Sequence, residues 1–281
     1  MDSLTPGDVV GSMINAGAAR KSLTVTDLLV RGALSGALLG IATTLAVTAA
    51  VQTGTPIVGA LIFPVGFVMI VLMGLELVTG NFALLPLAGF AGRMPLGAMI
   101  GNFIWVFIGN LIGSALYAAL FAVVITNGFT TPATAGVAQK LIQLAEARTI
   151  GYAAIGTPGL ITAFVKAILC NWMVCMGVTM SLSCTSQIGR IFGAWMPIMM
   201  FFALGFEHAV VNMFVIPVGM MLGGKIAVAD WWLWNQIPVT LGNFVGGFIP
   251  VACAFYVTYA AGRGRVLQPA GKSATAAAGD D

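Results

Sequence analysis

Six stretches of this chain stay apolar for about 20 residues or more, the length that carries a helix across a bilayer. They fall at roughly 28–51, 57–91, 97–126, 158–183, 192–222 and 234–260. Inside lipid, backbone N–H and C=O groups have no water to bond, so only helices and closed barrels span. Charged residues make up only 7% of the chain, against about 25% in a soluble domain. The sequence predicts an all-α integral membrane protein with six transmembrane helices.

The first 27 residues hold no short apolar core followed by a cleavage site, so the first span is expected to remain as an anchor. Thr5, Pro6 and Asp8 read as a helix start, and Val10, Met13, Ile14 and Gly17 then share one face. Residues 1–27 are therefore expected to form a cytoplasmic amphipathic helix lying on the membrane surface, with a frayed terminus as the alternative. Arg20, Lys21, Arg31, Arg93, Arg190, Arg263, Arg265 and Lys272 fall on the side shared by both termini, against Lys140, Arg148 and Lys225 on the other. Both ends should face the cytoplasm. The net charge of +3 is then a topology signal, and no nucleic-acid partner is expected. The small polar tail, 261–281, reads as disordered.

The second and fifth spans are copies of one pattern. "GLELVTGNFALLPLAG" from Gly74 and "GFEHAVVNMFVIPVGM" from Gly205 match Glu76 with Glu207, Asn81 with Asn212 and Pro86 with Pro217. The third and sixth spans match Asn102 with Asn235, Gly109 with Gly242, Asn110 with Asn243 and Gly113 with Gly246; the first and fourth match Arg31 with Lys166. A repeated unit of three spans enters the membrane from opposite sides, so residues 28–126 and 158–260 are expected to be inverted repeats.

The second and fifth windows, about 35 and about 31 residues, are longer than a straight span needs. A glycine opens each polar interval and a proline follows it, as expected where a helix breaks and restarts. Irregular backbone at that depth survives only when it is buried in protein or lines a wet cavity, so the breaks mark a pore or a binding site.

Ionisable groups inside spans are functional hypotheses by default. For Glu76 and Glu207 the favoured reading is structural, as acceptors for backbone amides freed at the breaks, helped by Asn81 and Asn212. His208, the only histidine, has Leu77 as its counterpart, so the repeat does not require it. It can handle a proton at ordinary pH or be a satisfied core group, and Thr79 offers a hydroxyl to orient it. Lys166 either snorkels to the interface or draws anions inward. Asn110 reads as an interhelical hydrogen-bonding residue; for Asn171 and Asn243 structural and functional readings stay open. Phe63, Phe67 and Phe201 are packing rings or a dewetting gate. The small-xxx-small glycines signal close helix packing. Cys170, Cys175, Cys184 and Cys253 lack zinc-type spacing and read as small hydrophobes. No metal or cofactor is expected.

"GLELVTGN", "KAILCNWMVCMGVTMS", "GFEHAVVNMFVIPVGMM" and "NQIPVTLGNFVGG", in this order, resemble the formate/nitrite transporter family over essentially all six spans. The resemblance implies a homopentamer of aquaporin-like protomers, each with its own pore for small monovalent anions such as formate, nitrite or hydrosulfide. It implies that His208 is the central pore histidine near Thr79. It assigns Phe63, Phe67 and Phe201 to an outer constriction, Leu77, Thr79, Val174 and Asn243 to an inner one, and Lys166 and Asn171 to drawing and passing the anion. Glu76 and Glu207 would brace the breaks. The first break reads Glu-Leu-Val-Thr where the formate-channel pattern is Asp-Leu-Phe-Thr, and the resemblance leans to the nitrite branch with formate also passing.

The expected mechanism is transient protonation of the desolvated anion by His208 or by solvent near it. The rival readings are a neutral-solute channel of aquaporin type, though both breaks lack Asn-Pro-Ala, and a hydrosulfide, bicarbonate or lactate relative. An embedded enzyme is disfavoured, since no paired metal-ligand histidines, nucleophile elbow or phosphate loop is present.

Overall fold

The computed structural model describes residues 3–261; of the tail assigned to 261–281, residues 262–281 lie outside the described residues. The elements are α1 (Pro6–Ala19), α2 (Val25–Thr53), α3 (Pro56–Ile62), α4 (Pro64–Leu72), α5 (Val78–Phe90), α6 (Leu96–Ile125), α7 (Gly136–Ala147), α8 (Ile150–Ile155), α9 (Thr157–Leu182), α10 (Gln187–Ala203), α11 (Ala209–Met221) and α12 (Val228–Ala260). All are helices. Of these α2, α6, α9 and α12 are long and apolar enough to cross a membrane. The half-helices α5 and α11, of 13 residues each, reach about 20 Å and cannot cross alone.

Glycine sets the spacing between the long helices. A Cβ on Gly113 of α6 would collide with the carbonyl of Ala33 in α2, and one on Gly246 of α12 would collide with that of Ile168 in α9. The two matched glycines thus bring two matched helix pairs to backbone contact, as the small-xxx-small spacing predicts. A Thr24–Asp27 capping box starts α2, and Gly54 in the left-handed conformation (φ 67°) ends it. Helix α12 departs from regular geometry, with wide π-type turns at Trp232–Gln236, Phe248–Cys253 and Tyr256–Ala260.

The predicted breaks are present. Gly74 (φ 63°) ends α4 and Gly205 (φ 64°) ends α10, each in a conformation that costs glycine nothing. The chain then runs without helix to Val78 and Ala209. The matched prolines behave differently from expectation: Pro86 and Pro217 lie inside α5 and α11, well past the restart, so glycine alone marks each break.

Helix α1 also corrects the sequence reading. Thr5 caps it and Pro6 stands in its first turn, but its apolar face does not lie on a membrane surface. Val10, Met13, Ile14 and Gly17 are buried against protein, where Gly17 packs on the Leu84 carbonyl and the Ala88 methyl of α5. Leu4 N–H donates to the Ser183 carbonyl at 2.8 Å, and Ser3 pairs with Cys184 in an isolated bridge. The helix is held at both ends by the bundle. Cys170 and Cys175 are buried, while Cys184 and Cys253 are half-buried.

Candidate pore site between the two breaks

The two breaks are built from the same hydrogen bonds. Asn110 Oδ1 accepts from Val78 N–H (3.0 Å), and its Nδ2 donates to the carbonyls of Gly32 (2.8 Å) and Glu76 (3.0 Å). In the second half Asn243 Oδ1 accepts from Ala209 N–H (2.8 Å), and its Nδ2 donates to Ala167 (2.8 Å) and Glu207 (3.0 Å). The freed amides at both restarts therefore belong to the asparagines, where the sequence reading gave them to the glutamates. The physical reason is reach: Asn110 and Asn243 project from neighbouring helices straight at the first exposed N–H of each half-helix.

Glu76 and Glu207 serve side chains instead. Asn81 Nδ2 donates to Glu76 Oε2 (2.7 Å) and Asn102 Oδ1 (2.8 Å); Asn212 Nδ2 donates to Glu207 Oε2 (2.7 Å) and Asn235 Oδ1 (2.8 Å). Arg20 Nε lies 3.1 Å from Glu76, Arg148 Nε lies 3.9 Å from Glu207, and Tyr152 donates its hydroxyl to Glu207 at 2.8 Å. Each carboxylate thus faces one arginine, as a buried charge must.

Between the breaks, Thr79 Oγ1 and His208 Nε2 are 3.1 Å apart. The other ring nitrogen, Nδ1, accepts from Val211 N–H at 3.2 Å and caps α11. Both residues are at most 2% exposed. Asn171 Nδ2 donates to the carbonyls of Thr79 (3.0 Å) and Asn243 (2.6 Å), tying α9 to the first restart and to α12, and leaves its buried Oδ1 without a partner. Val174, one turn further along α9, is fully buried.

Two cavities approach this centre. The larger, about 740 Å³, is lined by His208, Phe201, Arg148 and Lys140; the smaller, about 200 Å³, by Leu77, Phe67, Arg20 and Arg190. Each has two basic residues and an apolar ring. The three phenylalanines do not line one cavity: Phe201 stacks on His208 (5.6 Å, 17°) at the larger, Phe67 stands at the smaller, and Phe63 lines neither, buried edge-on to Phe201 and stacked on Phe202. Of the residues assigned to the inner constriction, Leu77 borders the smaller cavity, whereas Thr79, Val174 and Asn243 are buried and line neither cavity.

Lys166 is absent from the lining of the larger cavity; its ammonium stands over the Tyr152 ring at 5.9 Å. The basic groups there are Arg148 and Lys140, which close the amphipathic stretch from Lys140 to Arg148 that the sequence places near the pore entrance. Among the described residues there is no cluster of histidine, cysteine, aspartate and glutamate able to hold a metal ion.

Residues 7–257 match the family model for formate/nitrite transporters. A probable formate transporter of Methanothermobacter thermautotrophicus is 38% identical over 209 residues, 70% of this chain and 73% of that one. Two solved structures share the fold at 24% identity: an ion channel of the same family (TM-score 0.78, covering 89% of this chain and 98% of that one) and a pentameric formate channel with formate bound (TM-score 0.66, 84% and 97%).

Proposed function

Because the chain belongs to the formate/nitrite transporter family, we propose that it conducts small monovalent anions, formate and nitrite, through a pore that runs past Thr79 and His208 and neutralises the anion on the way. The observation that carries this reading is the Thr79–His208 contact, which stands where a basic cavity approaches from either side.

An anion stripped of water in an apolar passage is strongly disfavoured unless its charge is compensated. Arg148 and Lys140, or Arg20 and Arg190, raise its local concentration in the two vestibules. With Nδ1 engaged by Val211 N–H, neutral His208 holds its proton on Nε2, from which it donates to Thr79 or to a solute oxygen. Giving up that proton would leave an imidazolate, so the geometry favours solvent as the proton source, with His208 orienting the acid by hydrogen bond. The neutral acid then crosses beside Phe201, Phe63 and Phe67 and loses its proton beyond them.

The wider arrangement proposed is an integral membrane channel domain, 28–260, of inverted repeats 28–126 and 158–260, with both termini cytoplasmic and five copies assembled. The matched hydrogen bonds of Asn110 and Asn243 support the repeat. Arg20 and Arg190 share one cavity, and Lys140 and Arg148 the other, in line with the charge asymmetry. The structural likeness to a pentameric formate channel supports the pentamer. Liposomes containing the purified protein test the reading: they should take up formate and nitrite chemically unchanged. Rapid water or glycerol flux with no uptake of either anion contradicts it.

A further inference from the structure

The two halves treat their cations differently. In the first, Arg20 Nε stands 3.1 Å from both carboxylate oxygens of Glu76, and Arg31, which the repeat matches with Lys166, stands 3.5 Å from Asp27. In the second, Arg148 Nε is 3.9 Å from Glu207 Oε1, beyond the reach of an N–H···O bond. Lys166 pairs with no carboxylate among the described residues, and its ammonium stands over the Tyr152 ring instead. One tyrosine lies between both cations and the carboxylate.

The hydroxyl of Tyr152 donates to Glu207 Oε1 at 2.8 Å, the same oxygen that Arg148 faces. Oε2 accepts from Asn212 Nδ2 at 2.7 Å and from Asn235 Nδ2 at 3.4 Å. Three neutral donors therefore cover Glu207, where Glu76 has Asn81 alone besides its arginine. A carboxylate held by neutral hydrogen bonds stays ionised without a cation in contact. Arg148 Nη1 is turned to a neutral acceptor, Asn212 Oδ1, and the residue lines the larger cavity.

The tyrosine is fixed from behind. Its ring is buried with the small side chains Ala163, Ala167 and Ala209 and with Val239. A Cβ on Gly159 of α9 would overlap the Tyr152 carbonyl, so glycine there lets α8 sit against α9 and brings the hydroxyl to Glu207.

We propose that Tyr152 is a positioning residue of the larger cavity: by occupying Glu207 Oε1 it keeps Arg148 from closing on the carboxylate, and leaves the guanidinium to bind a small anion. An arginine in direct contact with a carboxylate has its charge largely compensated, whereas one held off it still attracts a solute anion. The consequence for anion binding rests on the anion-channel reading above; the separation of Arg148 from Glu207 by the hydroxyl does not.

Tyr152→Phe removes the hydroxyl and keeps the ring. Cryo-electron microscopy of the full-chain variant is expected to show Arg148 Nε bonded to Glu207 Oε1, as Arg20 is to Glu76; Arg148 still clear of the carboxylate overturns the positioning role. Initial rates of formate uptake by liposomes are expected to give a half-saturating concentration raised roughly tenfold at a near wild-type maximal rate. The difference from wild type should shrink in added impermeant salt, since it is a charge effect. An unchanged half-saturating concentration, or a lowered maximal rate alone, overturns the proposal. If Tyr152→Phe does not fold, cryo-electron microscopy of the wild type with formate decides: Arg148 Nε clear of Glu207 and a formate on the guanidinium are expected, and the failure of either overturns it. A wild type that takes up neither formate nor nitrite counts against the anion-channel reading, while the variant's structure still decides what the hydroxyl holds apart.

Discussion

Thr79 Oγ1 and His208 Nε2 stand 3.1 Å apart although 129 positions separate them. Each lies at the start of a half-helix, and Asn171 of α9 ties the first restart to α12 by donating to the carbonyls of Thr79 and Asn243. The side of His208 facing Val211 is fixed by capping, which leaves the side facing Thr79 to do chemistry.

Thr79→Val removes the hydroxyl and keeps the side-chain outline. The buried Nε2–H then loses its partner, which costs about 1–3 kcal/mol, so a lower melting temperature is expected, together with altered pH dependence of anion uptake. Thr79→Ser should restore both. An uptake profile identical to wild type in Thr79→Val would show that the hydroxyl has no part in orienting the ring.

Asn110→Ala and Asn243→Ala each strip one cap and two carbonyl bonds from a break. With about 1–3 kcal/mol for each group left bare, both variants should lose folded yield and thermal stability by similar amounts. A large loss in one and none in the other would contradict the equivalence of the two breaks.

Glu207→Gln leaves Arg148, only 16% exposed at its side chain, without its counter-charge. Removing one partner of a buried pair is costly, about 3–5 kcal/mol, whereas Arg148→Gln added to Glu207→Gln removes the stranded charge. The double variant should therefore melt higher than the sum of the single effects predicts. Strict additivity in the thermal melts would mean that the two side chains do not interact.

Gly246→Val places a branched side chain where even a Cβ collides with the Ile168 carbonyl. The two helices must separate, and backbone-level overpacking of this kind costs about 1–3 kcal/mol or more. Early elution or aggregation on size-exclusion chromatography in detergent is expected; a wild-type profile would mean that α9 and α12 are not held this closely.

Much of this was legible in the residues because the repeat duplicates them. Glu76 with Glu207 and Asn110 with Asn243 announce two equivalent breaks, and a lone histidine in one copy stands out against Leu77 in the other. Contacts across long sequence distances were not legible. Arg20 and Arg148 reach their glutamates from 56 and 59 positions away, and nothing in the local sequence of either arginine names its partner. Lys166 misled for the opposite reason, since its place inside a span suggested the passage while its rotamer takes it to Tyr152. The assignment of Phe67 and Phe201 to different cavities depends on where each half-helix stops, which periodicity does not fix.

The central claim is that an anion passes His208 as its neutral acid. The direct measurement is the initial rate of formate and of nitrite uptake by liposomes across a series of pH values, with wild type and His208→Phe in parallel. Passage as the neutral acid requires saturable uptake that rises as pH falls, because acidity increases the supply of protons to the desolvated anion, and a His208→Phe profile that differs from wild type. Equal rates and equal pH dependence in the two proteins would contradict it.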